Sequence, residues 1–129
     1  MSPVSDAEIH AASKFDIAEQ LAEVHALNAD GHLVASLLMG WAVLEALARF
    51  ALVDQLAKPQ TPGSVLERLA FEGYVSPSEA DQIRTLVALR NKLAHGDLTI
   101  RLNQDLIDRF VAIIDLVHQR VQYPEPAHS

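Results

Sequence analysis

The apolar stretch LVASLLMGWAVLEALARFALV, residues 33 to 53, is the feature that most constrains how this chain can fold. As a helix it is long enough to span the hydrocarbon core of a bilayer. However, Glu45 and Arg49 lie in its second half, and either charge would be costly in lipid. We therefore expect this stretch to form the central helix of a soluble bundle, apolar nearly all round because its neighbours cover it.

Helix start and stop signals divide the remaining chain into further helices. Three candidate starts have the capping-box pattern, a serine followed three residues later by a glutamate: Ser5 with Glu8, Ser64 with Glu67 and Ser76 with Glu79. Together with glycines, prolines and apolar periodicity, they predict helices over residues 5–30, 32–57, 64–73, 76–95 and 103–122. Only LTIRL, residues 98 to 102, approaches a strand pattern, and it is too short to stand alone.

These elements predict an all-α fold, an up-and-down helical bundle of four long helices plus one short helix. The 129 residues suffice for a single domain with one hydrophobic core. We expect that domain to span residues 1–129, with residues 123–129 as a flexible tail.

The last predicted helix carries two apolar stripes, formed by Leu106, Phe110, Ile113 and Val117 and by Ile107, Val111 and Ile114. Two stripes on one helix indicate burial against two surfaces, such as the core and a partner subunit. The acidic residues of this helix are expected on a solvated face: Asp105, Asp108 and Asp115.

Composition limits the classes of function. The chain has no cysteine, which excludes disulfides and cysteine-ligated zinc, and no histidine pair has a metal-site spacing with acidic ligands, so we expect no metal and no cofactor. The first residues lack the pattern of a signal peptide, which favours a cytoplasmic protein. The formal net charge of −7 disfavours general binding to nucleic acid or to a membrane. An RNA-binding site would therefore need a local basic patch.

The segment RNKLAHGD, residues 90 to 97, combines a guanidinium, an amide and an imidazole near the end of the fourth predicted helix. Asn91 and His95 are four residues apart and so lie on one helix face. Arg90 points partly inward, but its long side chain can reach back toward His95. The three groups can therefore converge where the helix ends.

Such a trio suits cleavage of RNA without a metal. Histidine titrates near neutral pH, so His95 could take the proton of a 2′-hydroxyl or protonate the leaving 5′-oxygen. Arg90 could bind the phosphate and stabilise its transition state, while the Asn91 amide could hold the imidazole in one tautomer. The products would carry a 2′,3′-cyclic phosphate.

The basic residues are concentrated around this segment. Residues 84 to 101 contain four cations and one anion, whereas the rest of the chain contains 6 cations and 16 anions. The cations beside Arg90 are candidates for binding RNA phosphates: Arg84, Lys92 and Arg101.

An ordinary helix end also explains these residues. Cations in a last turn complement the helix dipole, and Gly96 is a common residue just after a helix. In that case His95→Ala would cost at most about 1 kcal/mol of stability and nothing else. Spacing alone leaves both interpretations open.

RNKLAH, residues 90 to 95, resembles the Arg-Asn-x-x-x-His signature of the HEPN domain superfamily. Its members are small all-helical domains, and many are metal-independent ribonucleases of toxin–antitoxin, restriction and other defence systems. The motif lies near the end of a bundle helix with one helix after it, as in this chain. The resemblance implies that Arg90, Asn91 and His95 are catalytic and that RNA is the substrate. It also implies a homodimer, whose two histidines would share the two proton transfers.

The segment GWAVLEALARF, residues 40 to 50, extends the resemblance, because many such domains carry an acid in an earlier apolar helix that faces the motif. Glu45 would be that acid, supported by Arg49. A buried carboxylate needs a partner, and two remain open: Arg49 at i+4, or Arg90 or His95 across the bundle.

The resemblance also implies protein partners, namely a cognate antitoxin or a nucleotidyltransferase. The same fold without catalysis would be a binding module that partners a nucleotidyltransferase or another effector. In one toxin branch a tyrosine two residues after the histidine is modified by the nucleotidyltransferase. Asp97 occupies that position here, so we do not expect that modification.

Overall fold

The computed structural model describes residues 13–53 and 60–121, and these residues form five helices. The helices are α1 (Lys14–Ala29), α2 (Leu33–Ala51), α3 (Pro62–Phe71), α4 (Pro77–Ala94) and α5 (Gln104–Arg120). The prediction of an all-α bundle with four long helices and one short helix is confirmed for this part of the chain. The predicted tail at 123–129 lies outside it.

The start of α4 follows its sequence signal, and the start of α3 does not. At α4, the Ser76 hydroxyl accepts from the Glu79 amide at 3.1 Å, and the Glu79 carboxylate accepts from the Ser76 amide at 2.8 Å. The predicted start of α3 at Ser64 was wrong, because Thr61 caps the helix and Pro62 begins it. Proline fits the first turn of a helix, where no amide partner is needed.

Helices α1 and α2 are shorter than predicted. The start of α1 is a capping box in which Ser13, with extended backbone, exchanges hydrogen bonds with Asp16. The predicted start at Ser5 lies outside the described residues. Helix α2 ends at Ala51 rather than at residue 57, because Leu52 leaves the helical conformation and buries its side chain.

Helix α2 occupies the centre of the bundle, as expected, since it packs against all four other helices. Its core-facing residues are nearly inaccessible: Leu37, Leu44, Leu47 and Ala48. By length and composition alone α2 could cross a membrane, but a core helix of a soluble protein meets the same criteria. Gly40 brings α5 close, because a β-carbon built there would lie 2.9 Å from the Phe110 ring and 3.1 Å from Ile114 Cδ1.

The two apolar stripes of α5 are both covered within this one chain. Their members are buried with the exception of Leu106, which is half-buried. Helix α5 packs against α1, α2 and α4, so the stripes do face two surfaces, but both surfaces belong to the same bundle. Neither stripe needs a partner subunit to cover it.

Candidate functional site at the end of α4

Helix α4 ends in a Schellman motif centred on Gly96. His95 is the C-cap, Gly96 has φ +86°, and the amides of Gly96 and Asp97 donate to the carbonyls of Leu93 and Lys92 at 3.0 and 2.9 Å. Helices α1 and α3 end in the same way, at Gly31 and Gly73. The backbone at this helix end is therefore ordinary, and any function must come from the side chains.

The Arg90 side chain reaches toward the helix face that carries His95. Arg90 is half-buried, and its Nη1 donates to Asn91 Oδ1 at 3.2 Å. Asn91 and His95 are joined one turn apart by a backbone hydrogen bond of 3.1 Å. The guanidinium is thus held on the Asn91 side of α4, which is the reach expected from its length.

The imidazole of His95 is exposed and has no hydrogen-bond partner among the described residues. The expectation that the Asn91 amide orients the imidazole was wrong. Its side-chain oxygen accepts from Arg90 instead, so the amide orients the guanidinium. His95 is consequently free to meet a ligand from solvent.

Glu45 is paired within its own helix. Its carboxylate accepts from Trp41 Nε1 at 2.6 Å and from Arg49 Nη2 at 3.0 Å, and its side chain is only 20% exposed. Neither Arg90 nor His95 bonds to it. Of the alternatives left open, the partner of Glu45 is therefore Arg49. Glu45 also provides the acceptor that the buried indole N–H of Trp41 needs.

The cations expected to bind phosphate differ in the contacts that they already make within the protein. Arg84 is ion-paired with Asp81 one turn earlier. Arg101 donates to the carbonyls of Leu98 and Ile100 at 3.2 and 3.1 Å. Lys92 is exposed and near enough to Asp97 to lower the pKa of that carboxyl. The predicted patch is therefore less positive than the sequence count indicates.

Asp97 orders the loop that follows the site. Its carboxylate accepts from the Thr99 hydroxyl at 2.6 Å and from the Thr99 amide at 2.9 Å. These bonds are the main reason why the pKa of Asp97 lies below its usual value, followed by the charge of Lys92. Leu98, between Asp97 and Thr99, is 83% exposed. A fixed negative charge and an exposed apolar side chain thus lie two and three residues beyond His95.

Sequence reasoning missed a polar network between α1 and α5. His25 Nε2 lies 2.9 Å from Asp115 Oδ1, and Asp108 Oδ1 accepts from Asn28 and Gln104, each at 2.8 Å. Those two hydrogen bonds lower the pKa of Asp108. Asp108 and Asp115 are therefore interhelical contacts rather than a merely solvated face, and their seven-residue spacing along α5 was the available signal.

In the described ranges, no three histidine, cysteine, aspartate or glutamate side chains are grouped closely enough to hold a metal ion. The polar groups at the end of α4 are an amide, an imidazole and cations, with the Asp97 carboxylate two residues beyond His95. Such groups can bind an anion and exchange a proton with a ligand.

No model of a known protein family matches the chain, and neither a curated protein nor a solved structure matches it. Any function assigned to the end of α4 rests on its own residues.

Proposed function

We propose that this protein is a metal-independent endoribonuclease of the HEPN type, a toxin or defence effector that acts as a cytoplasmic homodimer. One observation carries the proposal. A half-buried guanidinium is held on the face of α4 where an exposed imidazole has no hydrogen-bond partner among the described residues. An all-helical bundle with one helix after the motif also supports it.

The chemistry divides between the two side chains. His95 would accept the proton of an RNA 2′-hydroxyl, whose oxygen then attacks the adjacent phosphorus and expels the 5′-oxygen. Arg90 would bind the non-bridging phosphate oxygens and stabilise the charge of the transition state. The departing 5′-oxygen needs a proton, which the His95 of a second subunit would supply. The products are a 2′,3′-cyclic phosphate and a free 5′-hydroxyl.

A second function has its own support in the pairing of Glu45 with Trp41 and Arg49. The Glu45 carboxylate makes its hydrogen bonds inside α2 rather than to Arg90 or His95, and Arg84 is paired as well. These contacts suit a non-catalytic module of the same fold that partners a nucleotidyltransferase or another effector. Such a module would form a stable complex with its partner protein and would leave RNA intact.

The test is cleavage of an end-labelled RNA in EDTA by the wild type, by His95→Ala and by His32→Ala. His32 is a suitable control because it is exposed at the start of α2 and its side chain makes no capping bond. We expect the wild type and His32→Ala to cut equally, and His95→Ala to be slower by about 100-fold or more, the usual contribution of a general acid or base.

Equal cleavage by His95→Ala and the wild type would contradict the proposal. A wild-type protein that fails to cleave RNA both with and without EDTA would also contradict the proposal. Circular dichroism and urea unfolding of each variant separate a lost catalytic group from a lost fold.

A further inference from the structure

Helix α2 exposes an uncharged apolar face to solvent. No charged residue occurs between residues 33 and 44. Val34 and Leu38 are each 45% exposed, and Ala35 and Ala42 are exposed beside them. Surface helices normally carry charged or polar residues on their outer side. This half of α2 therefore has the composition of a covered surface although the described chain leaves it open.

Beside this face, α1 and α2 form a shallow groove. It has a volume of about 140 Å³, and its walls are almost entirely apolar. Ile17 of α1 and Met39, Ala42, Val43 and Ala46 of α2 line it, together with Asp16 and Gln20. The alanines leave room for side chains of another molecule. The lining of the groove extends from Asp16 to Gln20 along α1 and from Met39 to Ala46 along α2, so the groove follows the helix pair.

The α1 edge of the groove is acidic. Asp16 lines the groove, and Glu23 and Asp30 follow it at intervals of seven residues, so they continue along the same side of α1. All three are exposed. Hydrogen bonds from Ser13 lower the pKa of Asp16, which keeps it ionised at neutral pH. The lysine of α1, Lys14, lies on a different side of the helix by its spacing.

We propose that this groove binds a basic amphipathic helix of a partner protein. The apolar stripe of that helix would cover Leu38, Met39 and Ala42, and its lysines or arginines would lie opposite Asp16 and Glu23. The proposal is independent of the ribonuclease reaction, because the groove lies on α1 and α2 and the reactive residues lie at the end of α4.

The charges decide against two other occupants. A second copy of this chain brings a net charge of −7, and the cation of its own α2, Arg49, is already paired with Glu45. An anionic membrane surface would be repelled by the same net charge and by the acidic edge. A basic amphipathic helix is complementary both to the apolar walls of the groove and to its acidic edge.

The test uses a fluorescein-labelled helical peptide of leucine and lysine, and a counterpart with glutamate in place of lysine, measured by fluorescence anisotropy. The variants are Ala42→Glu in the groove and Ala112→Glu on the outer side of α5. Both alanines are exposed, and both substitutions change the net charge equally. We expect saturable binding of the lysine peptide, weakened at least tenfold by Ala42→Glu and unchanged by Ala112→Glu, with no binding of the glutamate peptide.

Leu38→Gln, on the exposed apolar face beside the groove, provides a second variant, and it should weaken binding as well without adding a charge. Equal affinity of the two glutamate variants for the lysine peptide would overturn the proposal, because attraction would then depend on net charge alone. If the protein sediments as a dimer and Ala42→Glu dissociates it, the occupant of the groove is a second copy of this chain and not a partner helix. If the protein adsorbs to phosphatidylcholine–phosphatidylglycerol vesicles and Ala42→Glu abolishes the adsorption, the occupant of the groove is lipid and not a partner helix.

Discussion

Gly40 determines how closely α2 and α5 approach each other. An added methyl group would lie 2.9 Å from Phe110 Cε2, and the Phe110 side chain is fully buried. Overpacking of this kind costs about 1–3 kcal/mol, whereas the helix propensity of alanine returns about 1 kcal/mol. The difference is a loss of up to about 2 kcal/mol, so we expect Gly40→Ala to lower the free energy of unfolding by that amount in urea titrations.

Gly63 supplies the matched control for that substitution. It lies in the first turn of α3, and nothing lies within 4 Å of an added methyl group. Gly63→Ala should be neutral or stabilising by up to about 1 kcal/mol. If Gly40→Ala were equally harmless, the close approach of α2 and α5 would not be a constraint.

Glu79 gives the stability of the protein a dependence on acid pH. Arg120 donates to its carboxylate at 2.7 Å from Nη1 and at 3.3 Å from Nη2, and chiefly for that reason the pKa of Glu79 lies below its ordinary value of 4.5. A carboxyl with a lowered folded-state pKa stabilises the fold above its unfolded-state pKa. That contribution is lost as the pH falls through the folded-state pKa.

We therefore expect Glu79→Gln to be less stable than the wild type by about 1 kcal/mol at pH 7. The difference should narrow below pH 4.5 and vanish in stronger acid, because the wild-type carboxyl is then protonated too. Urea unfolding as a function of pH measures it. Glu67→Gln, at an exposed position of α3, is the control that removes a surface carboxylate elsewhere. A constant difference across the pH range would rule out the ionic origin.

At the level of elements, Gly96 sets the direction in which the chain leaves His95. Its φ of +86° is costly for alanine, by about 1–2 kcal/mol. Gly31 ends α1 with φ +77° and with equally open surroundings, so Gly31→Ala is a matched control. Both substitutions should lower the free energy of unfolding by about 1 kcal/mol. If the proposed reaction takes place at His95, only Gly96→Ala should slow RNA cleavage, because Gly96 directly follows His95 and Gly31 does not.

Cleavage rates and urea titrations of the two glycine variants test this prediction. Equal rates for both, at equal stability, would mean that the backbone after His95 does not position the imidazole. The loop beyond Gly96, which Asp97 orders, would then have no effect on the site.

The helices could be predicted because each one carries its own periodic apolar pattern and its own end signals. Their exact ends were less predictable where two signals compete. Helix α3 has two good start signals in the sequence: Thr61 followed by Pro62, and Ser64 followed three residues later by Glu67. The earlier signal is the one used. Ser13 with Asp16 likewise begins α1 with a capping box that contains aspartate rather than glutamate. Local patterns rank such alternatives poorly because their free energies differ by less than tertiary packing contributes.

At the scale of the whole molecule, the site was predictable only along α4. Helical spacing places Arg90, Asn91 and His95 near one another without knowledge of the other helices. The choice of Glu45 partner and the contact between His25 and Asp115 depend on how helices pack, which spacing within one helix does not determine. The positive charge of the segment was overestimated for a simpler reason, since Asp81 lies just before the range that was counted.

In the proposed reaction, the end of α4 cleaves RNA by attack of a 2′-hydroxyl. The most direct measurement uses a DNA oligonucleotide with one ribonucleotide, incubated with the protein in EDTA and analysed by mass spectrometry. We predict a single cut, after the ribonucleotide, that leaves a 2′,3′-cyclic phosphate with the wild type and is absent with His95→Ala. An oligonucleotide that stays intact while an all-RNA substrate is cut, or a cut at any deoxynucleotide, would contradict the proposal.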